Sequence, residues 1–213
     1  MDEPMTSAAD FMPARTTLSA LREAASGCRG CDLYKDATQT VFGEGPASAR
    51  IVMVGEQPGD KEDIAGRPFV GPAGGLLDRG IEEAGLIRDD VYITNVVKHF
   101  KHVLRGKRRI HRKPDMEQIR ACTPWLEAEL ARIGPEVLVL LGATAAQAIL
   151  GRTFKVTQQR GTFVDSPLAP LVTATVHPSS ILRSRTDQER REAFDGFVKD
   201  LQQVARALPA RAS

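Results

Sequence analysis

The chain has 213 residues, 42% of them apolar, and its 29 basic and 27 acidic side chains leave a net charge of only +2. This length fits one domain with a sizeable core rather than two, and the apolar share excludes a disordered chain. No stretch is long enough to span a membrane, and Met1 to Thr16 lacks the basic start and apolar run of a signal peptide. The expectation is a cytoplasmic monomer with a flexible tail over residues 1–16 and a single domain over 17–213.

Taken in chain order, the first chemical feature is Cys28-x-x-Cys31, with Cys122 far downstream as the third and last cysteine. An odd count in a reducing compartment argues against a disulfide framework. The set reads as a metal or cluster site lacking one ligand. His99, which opens a basic segment 23 positions before Cys122, is the candidate for the fourth place. Zinc held by three Cys and one His is as reasonable here as an iron–sulfur cluster, and residue chemistry leaves both open.

Four short Val- and Ile-rich runs then read as buried strands: Ile51–Val54, Val91–Val96, Val137–Leu141 and Leu171–Val176. They alternate with helical patterns, which predicts a parallel sheet with helices on both faces. A helix is expected from about Gly74 to Glu83. The clearest one follows Pro114: Asp115 suits an N-cap, Gln118 completes a capping box, and Ile119, Cys122, Leu126, Leu130 and Ile133 share a face before Gly134-Pro135 ends it. Short helix Ala143–Leu150 and a final helix over about Gln188–Leu208 complete the pattern.

Ligands bind such folds at the carboxyl ends of the strands. Gly55-Glu56-Gln57-Pro58-Gly59-Asp60 follows the first strand, Asn95 ends the second, and His177-Pro178-Ser179-Ser180 follows the fourth. Glu56 and Asp60 could activate a nucleophile or merely cap turns. His177 could donate to a developing oxyanion, or be a satisfied structural histidine. Asn95 could read a base edge, Phe69 could stack on a base, and Ser179 could help hold a phosphate. Between the second strand and the long helix, Lys98 to Lys113 carries eight Lys or Arg, no acid, and three of the four histidines. Without that segment the chain holds 21 basic against 27 acidic residues. One cationic loop at about 98–113 on an acidic body points to a polyanion partner.

These motifs carry a family resemblance. Gly55 to Asp63 with Pro68-Phe69-Val70-Gly71-Pro72-Ala73-Gly74 resembles the first motif of the family-four iron–sulfur uracil-DNA glycosylases, and His177-Pro178-Ser179 with Leu182-Arg183 resembles the second. Cys28, Cys31 and Cys122 match three of that family's cluster ligands. His99 stands where the family typically has Cys, Gln57 where it typically has Ala, and the insertion ending Gly106-Lys107-Arg108-Arg109-Ile110-His111 is extra. All three features look like the UdgX branch.

The resemblance implies an α/β fold, a three-layer α/β/α sandwich with a central, mostly parallel four-stranded sheet. It implies excision of uracil from single- or double-stranded uracil-containing DNA, and a [4Fe-4S] cluster on Cys28, Cys31, His99 and Cys122. His111 would attach covalently to the sugar and Glu56 would orient or activate it. His177 would stabilise the departing uracil anion at O2. Asn95 would read the uracil edge and Phe69 would stack on the ring. Gln57, Gly59 and Asp60 would shape the pocket, Ser179 would bind the substrate, and Arg109 would help place the loop on DNA. Two rivals remain: a turnover glycosylase using water, with His111 merely binding phosphate, and a cluster- or zinc-containing DNA-binding module without catalysis.

Overall fold

The computed structural model describes residues 6–208. The first half of the domain holds helix α1 (Leu18–Ser26), strand β1 (Ile51–Gly55), helices α2 (Asp60–Ala65) and α3 (Pro72–Glu83), and strand β2 (Val91–Asn95). Strands β3 (His102–Arg105) and β4 (Arg108–His111) follow, then the long helix α4 (Met116–Ile133), strand β5 (Val137–Leu141) and helices α5 (Ala143–Leu150) and α6 (Val156–Gln159). Strands β6 (Phe163–Val164) and β7 (Leu171–Thr175) and helices α7 (Pro178–Leu182) and α8 (Asp187–Ala207) close the fold.

The sheet order is β2-β1-β5-β7-β6, parallel except for β6. Because side chains alternate along a strand, each strand feeds two cores. Val52, Val54, Leu138 and Leu140 pack on the face covered by α1 and α4. Ile51, Met53, Val137 and Val139 pack on the opposite face with α3, α7 and α8. The expected α/β/α layering therefore holds, but the sheet has five strands, not four. The missed strand, β6, is two residues long, too short to carry a period.

The capping signals that predict α4 work as read. Asp115 accepts from the amides of Glu117 and Gln118, Gln118 returns a bond to the Asp115 amide, and Gly134 stops the helix at φ +61°. Two further expectations change. The basic segment is not an open loop but an antiparallel hairpin, β3–β4, turned by Gly106 at φ +61°. Within the tail expected over 1–16, Ser7 caps a 3-10 turn over Ala8–Phe11 that packs on α4 with Ala8 fully buried; residues 1–5 lie outside the described residues. Among the described residues no helix is long and apolar enough to cross a membrane.

The chain passes from β1 to β2 on one side and to β5 on the other. The crevice between β1 and β5 is therefore the topological switch point, where α/β folds place ligands. Glu56 leaves β1 and Thr144 leaves β5 at this crevice.

Candidate active site

At the carboxyl edge Gly55, Phe69 and Asn95 form a cradle, with His177 stacked on the Phe69 ring at 5.8 Å between centroids and 29° between planes. A side chain at Gly55 would put its Cβ 2.3 Å from Asn95 Oδ1 and 2.8 Å from the Phe69 ring, so only glycine leaves this space open. Asn95 is 2% exposed, and its Oδ1 is buried without a hydrogen-bond partner. Buried polar atoms are almost always satisfied, so an orphaned acceptor beside an aromatic ring points to a planar ligand with a donor. Phe69 holds φ +54°, the one described non-glycine residue with positive φ. That conformation costs about 1–2 kcal/mol and is kept because Gly74 leaves room for the Phe69 carbonyl, which a Cβ would meet at 1.6 Å.

His177 caps α7 with its own ring. The Ser179 amide donates to Nδ1 at 3.1 Å, and the Ser179 hydroxyl lies 2.8 Å from the same nitrogen. An amide can only donate, so Nδ1 accepts and the neutral ring carries its proton on Nε2. Burial lowers the His177 pKa to about 4, with the Glu56 carboxylate pulling the other way. Ser179, whose amide and hydroxyl are committed to His177 and to Arg183 at 3.1 Å, orients this ring rather than presenting a free phosphate cradle.

Glu56 stands at the switch point between two partners. Thr144 donates to Oε2, and His111 Nε2 lies 3.3 Å from Oε1. Burial raises the carboxyl pKa, but the hydrogen bonds from His111 and Thr144 outweigh it and hold the group below its ordinary range. Glu56 is therefore ionised.

His111 reaches Glu56 because the hairpin is docked at three places. Gln57 donates to the carbonyls of Lys101 (3.2 Å) and Arg112 (3.0 Å) and accepts from the Lys101 amide (3.1 Å), gripping both legs at the hairpin's base. Register puts His102, Arg109 and His111 on one face of the ribbon, and all three lie against the buried Phe100 ring. Arg109 then bonds Asp60 at 2.6 Å, Asp63 at 2.5 Å and Thr38 at 3.0 Å. Gln57, Asp60 and Arg109, expected to shape the pocket or place the loop on DNA, hold the hairpin. Gly59 is an N-cap turn whose amide donates to Glu62, and is not brought to the cradle. Lys107, Arg108 and Arg112 are exposed and have no acidic partner among the described residues.

The sequence reading missed Phe100 and Thr144. A buried aromatic among basic residues was the available signal for the first; nothing local marks the second, 88 positions from Glu56.

Cys28, Cys31 and Cys122 are free thiols within one another's electrostatic reach, and burial pushes the pKa of Cys31 up and that of Cys122 up to about 12. The Gly30 amide donates to Cys28 Sγ at 3.5 Å and the Lys98 amide to Cys122 Sγ at 3.3 Å. His99 is buried, with Nε2 2.9 Å from the Thr40 hydroxyl. Among the described residues no group of three or more His, Cys, Asp or Glu side chains is placed to hold a single metal ion.

Residues 42–202 match the uracil DNA glycosylase superfamily. The chain is also 41% identical over 173 residues to a type-4 uracil-DNA glycosylase of Thermotoga maritima, covering 81% of this chain and 86% of that protein. A type-4 uracil-DNA glycosylase of Pyrobaculum aerophilum is 35% identical over 173 residues, covering 78% and 85%. This chain belongs to the uracil DNA glycosylase superfamily. The family match spans Glu56, Phe69, Asn95, His111 and His177. In this superfamily member the cradle and the Glu56–His111 contact adjoin at the carboxyl end of β1, through Gly55 and Glu56.

The depressed pKa of His177 has a consequence for folding. In the unfolded chain the ring takes up a proton as pH falls through its ordinary 6.5, while the folded ring resists until about 4. Stability should therefore fall between pH 6.5 and 4, by at most about 1.4 kcal/mol per pH unit from this group. His177→Gln should flatten that slope in urea unfolding measured across the window. An unchanged slope would show that His177 is not held neutral.

Proposed function

We propose that this protein is a uracil-DNA glycosylase of the UdgX type, which excises uracil from DNA and keeps the DNA through a covalent bond to His111. The observation that carries the reading is the Glu56–His111 contact at 3.3 Å, made by a docked hairpin beside the cradle of Gly55, Phe69 and Asn95. In the reaction the bond between uracil N1 and the sugar C1′ breaks, and its electron pair leaves with the base. Negative charge reaches uracil O2, where the neutral His177 Nε2–H donates to it. Uracil N3–H meets the orphaned Asn95 Oδ1, and Phe69 stacks on the ring. Ionised Glu56 stabilises positive charge on the sugar and takes the ring proton of His111 as the other, unprotonated ring nitrogen bonds C1′. The proton ends on the departed uracil. An alkylated imidazole is a poor leaving group, so the adduct persists and the protein turns over once.

Denaturing electrophoresis after incubation with a uracil-containing oligonucleotide tests substrate, chemistry and covalency together. A protein–DNA band with release of uracil is expected. Uracil release without the band would leave a turnover glycosylase, and neither would remove the glycosylase reading.

The exposed outer side of the hairpin supports contact with DNA phosphates, through Lys107, Arg108 and Arg112. Neutralising one of these three should flatten the log–log dependence of DNA affinity on salt by roughly one unit. Arg109→Gln should leave that slope nearly unchanged, because its charge is spent on Asp60 and Asp63, but should weaken crosslinking by loosening the hairpin. Equal slopes for Arg108→Gln and wild type, measured by fluorescence anisotropy, would make the hairpin an ordinary solvated ribbon.

A [4Fe-4S] cluster on Cys28, Cys31, Cys122 and His99 would supply a rigid crosslink between the N-terminal segment and α4, a structural part. The fit is supported by three neighbouring thiols, two of which already accept amide hydrogen bonds, the arrangement that suits thiolate ligands. Purified protein is expected to contain iron, and His99→Ala to retain less of it, by metal analysis. Colourless protein with stoichiometric zinc would refute the cluster; undiminished iron in His99→Ala would refute only the fourth ligand.

A further inference from the structure

Lys98 and Glu129 form a fully buried ion pair that the mechanism above does not use. Both side chains are essentially unexposed, and Lys98 Nζ lies 2.5 Å from Glu129 Oε2. Burying two charges is expensive, and replacing such a pair by apolar groups is often neutral or stabilising. Its presence at this place therefore asks for a reason beyond stability.

The surroundings supply one. Lys98 Nζ also donates to the Asn95 main-chain carbonyl at 2.7 Å and to the Thr94 hydroxyl at 2.7 Å. Glu129 in turn accepts from Tyr92 at 2.8 Å, from the Thr94 hydroxyl at 3.0 Å and from the Gly43 amide at 3.1 Å. The main-chain amide of Lys98 donates to Cys122 Sγ. Cys122 and Glu129 are seven residues apart on α4, hence on one face of it. One face of α4 thus grips Lys98 twice, by main chain and by side chain, and Lys98 grips the last residue of β2.

That residue is Asn95, whose Oδ1 is left unpaired. Its side chain touches no other hydrogen-bonding group at that oxygen, so the position of Oδ1 depends on where the main chain of residue 95 is held. We infer that Lys98, locked by Glu129, is a positioning residue that fixes Asn95 for the base. This rests on the reading of Asn95 as the uracil-binding amide. The charged ammonium suits the task because one group satisfies three acceptors at once, one each on β2's last two residues and one on α4.

The test is a double-mutant cycle read as the single-turnover rate of uracil release from an oligonucleotide. Glu129→Gln keeps the shape and an amide oxygen for Tyr92 and Gly43. Lys98→Met with Glu129→Gln removes both charges together and leaves neither one unpaired. Each should slow release on the order of tenfold or more, since misplacement of a reacting group by about 1 Å can cost 10²-fold. The protein concentration giving half-maximal rate should stay unchanged. Added to Asn95→Ala, the same changes should slow release far less than in the wild-type background, because the strut acts through Asn95. Wild-type rates in folded variants, or effects that multiply independently of Asn95→Ala, would overturn the inference, and a lowered melting temperature with an unchanged rate would do the same. Should the charge-free double variant not fold, Glu129→Gln alone carries the cycle. A wild-type rate for Asn95→Ala itself would instead reject the base-reading role of Asn95, and with it the ground for the strut.

Discussion

His111→Ala is expected to lose the covalent protein–DNA product completely, while uracil release persists at a reduced rate. The hairpin docks His111 on Phe100 and aims its Nε2 at Glu56, 3.3 Å away. Under the proposed mechanism, removing the imidazole removes the nucleophile but leaves the groups assigned to base departure: the Asn95 and Phe69 cradle, the neutral His177 donor and the Glu56 carboxylate. The ring is half-exposed, so its loss opens room for a water molecule to reach the sugar carbon. The variant should then behave as a slow turnover enzyme. Peptide mapping of the wild-type adduct locates the bond; a modified residue other than His111, or an undiminished crosslink in His111→Ala, would sink the covalent mechanism.

Glu56→Gln should slow both uracil release and crosslinking on the order of 10²- to 10⁴-fold, the range for a positioned acid–base group. Gln keeps a hydrogen-bond acceptor for His111 but neither takes its proton nor opposes positive charge on the sugar. Thr144→Val should cost less, because it frees Oε2 while Oε1 still faces His111. Single-turnover kinetics on one oligonucleotide, with uracil and adduct both followed, separate the two functions. A Glu56→Gln rate within a few-fold of wild type would show that this carboxylate takes no part in the chemistry.

Where the basic segment becomes a hairpin, its residues divide by face. Charge alone would give every Lys and Arg of 98–113 to the DNA. The register instead turns Arg109 inward to Asp60 and Asp63, and Lys98 is buried whole beneath Asn95. Neutralisation within the body thus uses part of the charge that looked available to a polyanion. The turn signal was present in Arg105-Gly106-Lys107-Arg108, a two-residue loop with glycine first, but the run of charges masked it.

The sequence by itself determined what depends on near neighbours along the chain. Apolar runs of strand length, the Asp115 capping box, the Gly134 stop and the placing of Glu56, Asn95 and His177 at strand ends were all legible, because backbone hydrogen bonding and side-chain alternation act over a few residues. Only the tertiary structure decided what depends on contacts between distant segments. Gln57 meets Lys101 and Arg112 across 44 and 55 positions, Glu56 meets Thr144 across 88, and Lys98 meets Glu129 across 31. None of these pairings has a local pattern, since each is set by which strand lies beside which at the switch point and by where the hairpin comes to rest. The same reason explains the orphaned Asn95 oxygen: a sequence shows that an amide is present, but only the packing of Gly55 and Phe69 around it shows that the fold buries its acceptor without a partner.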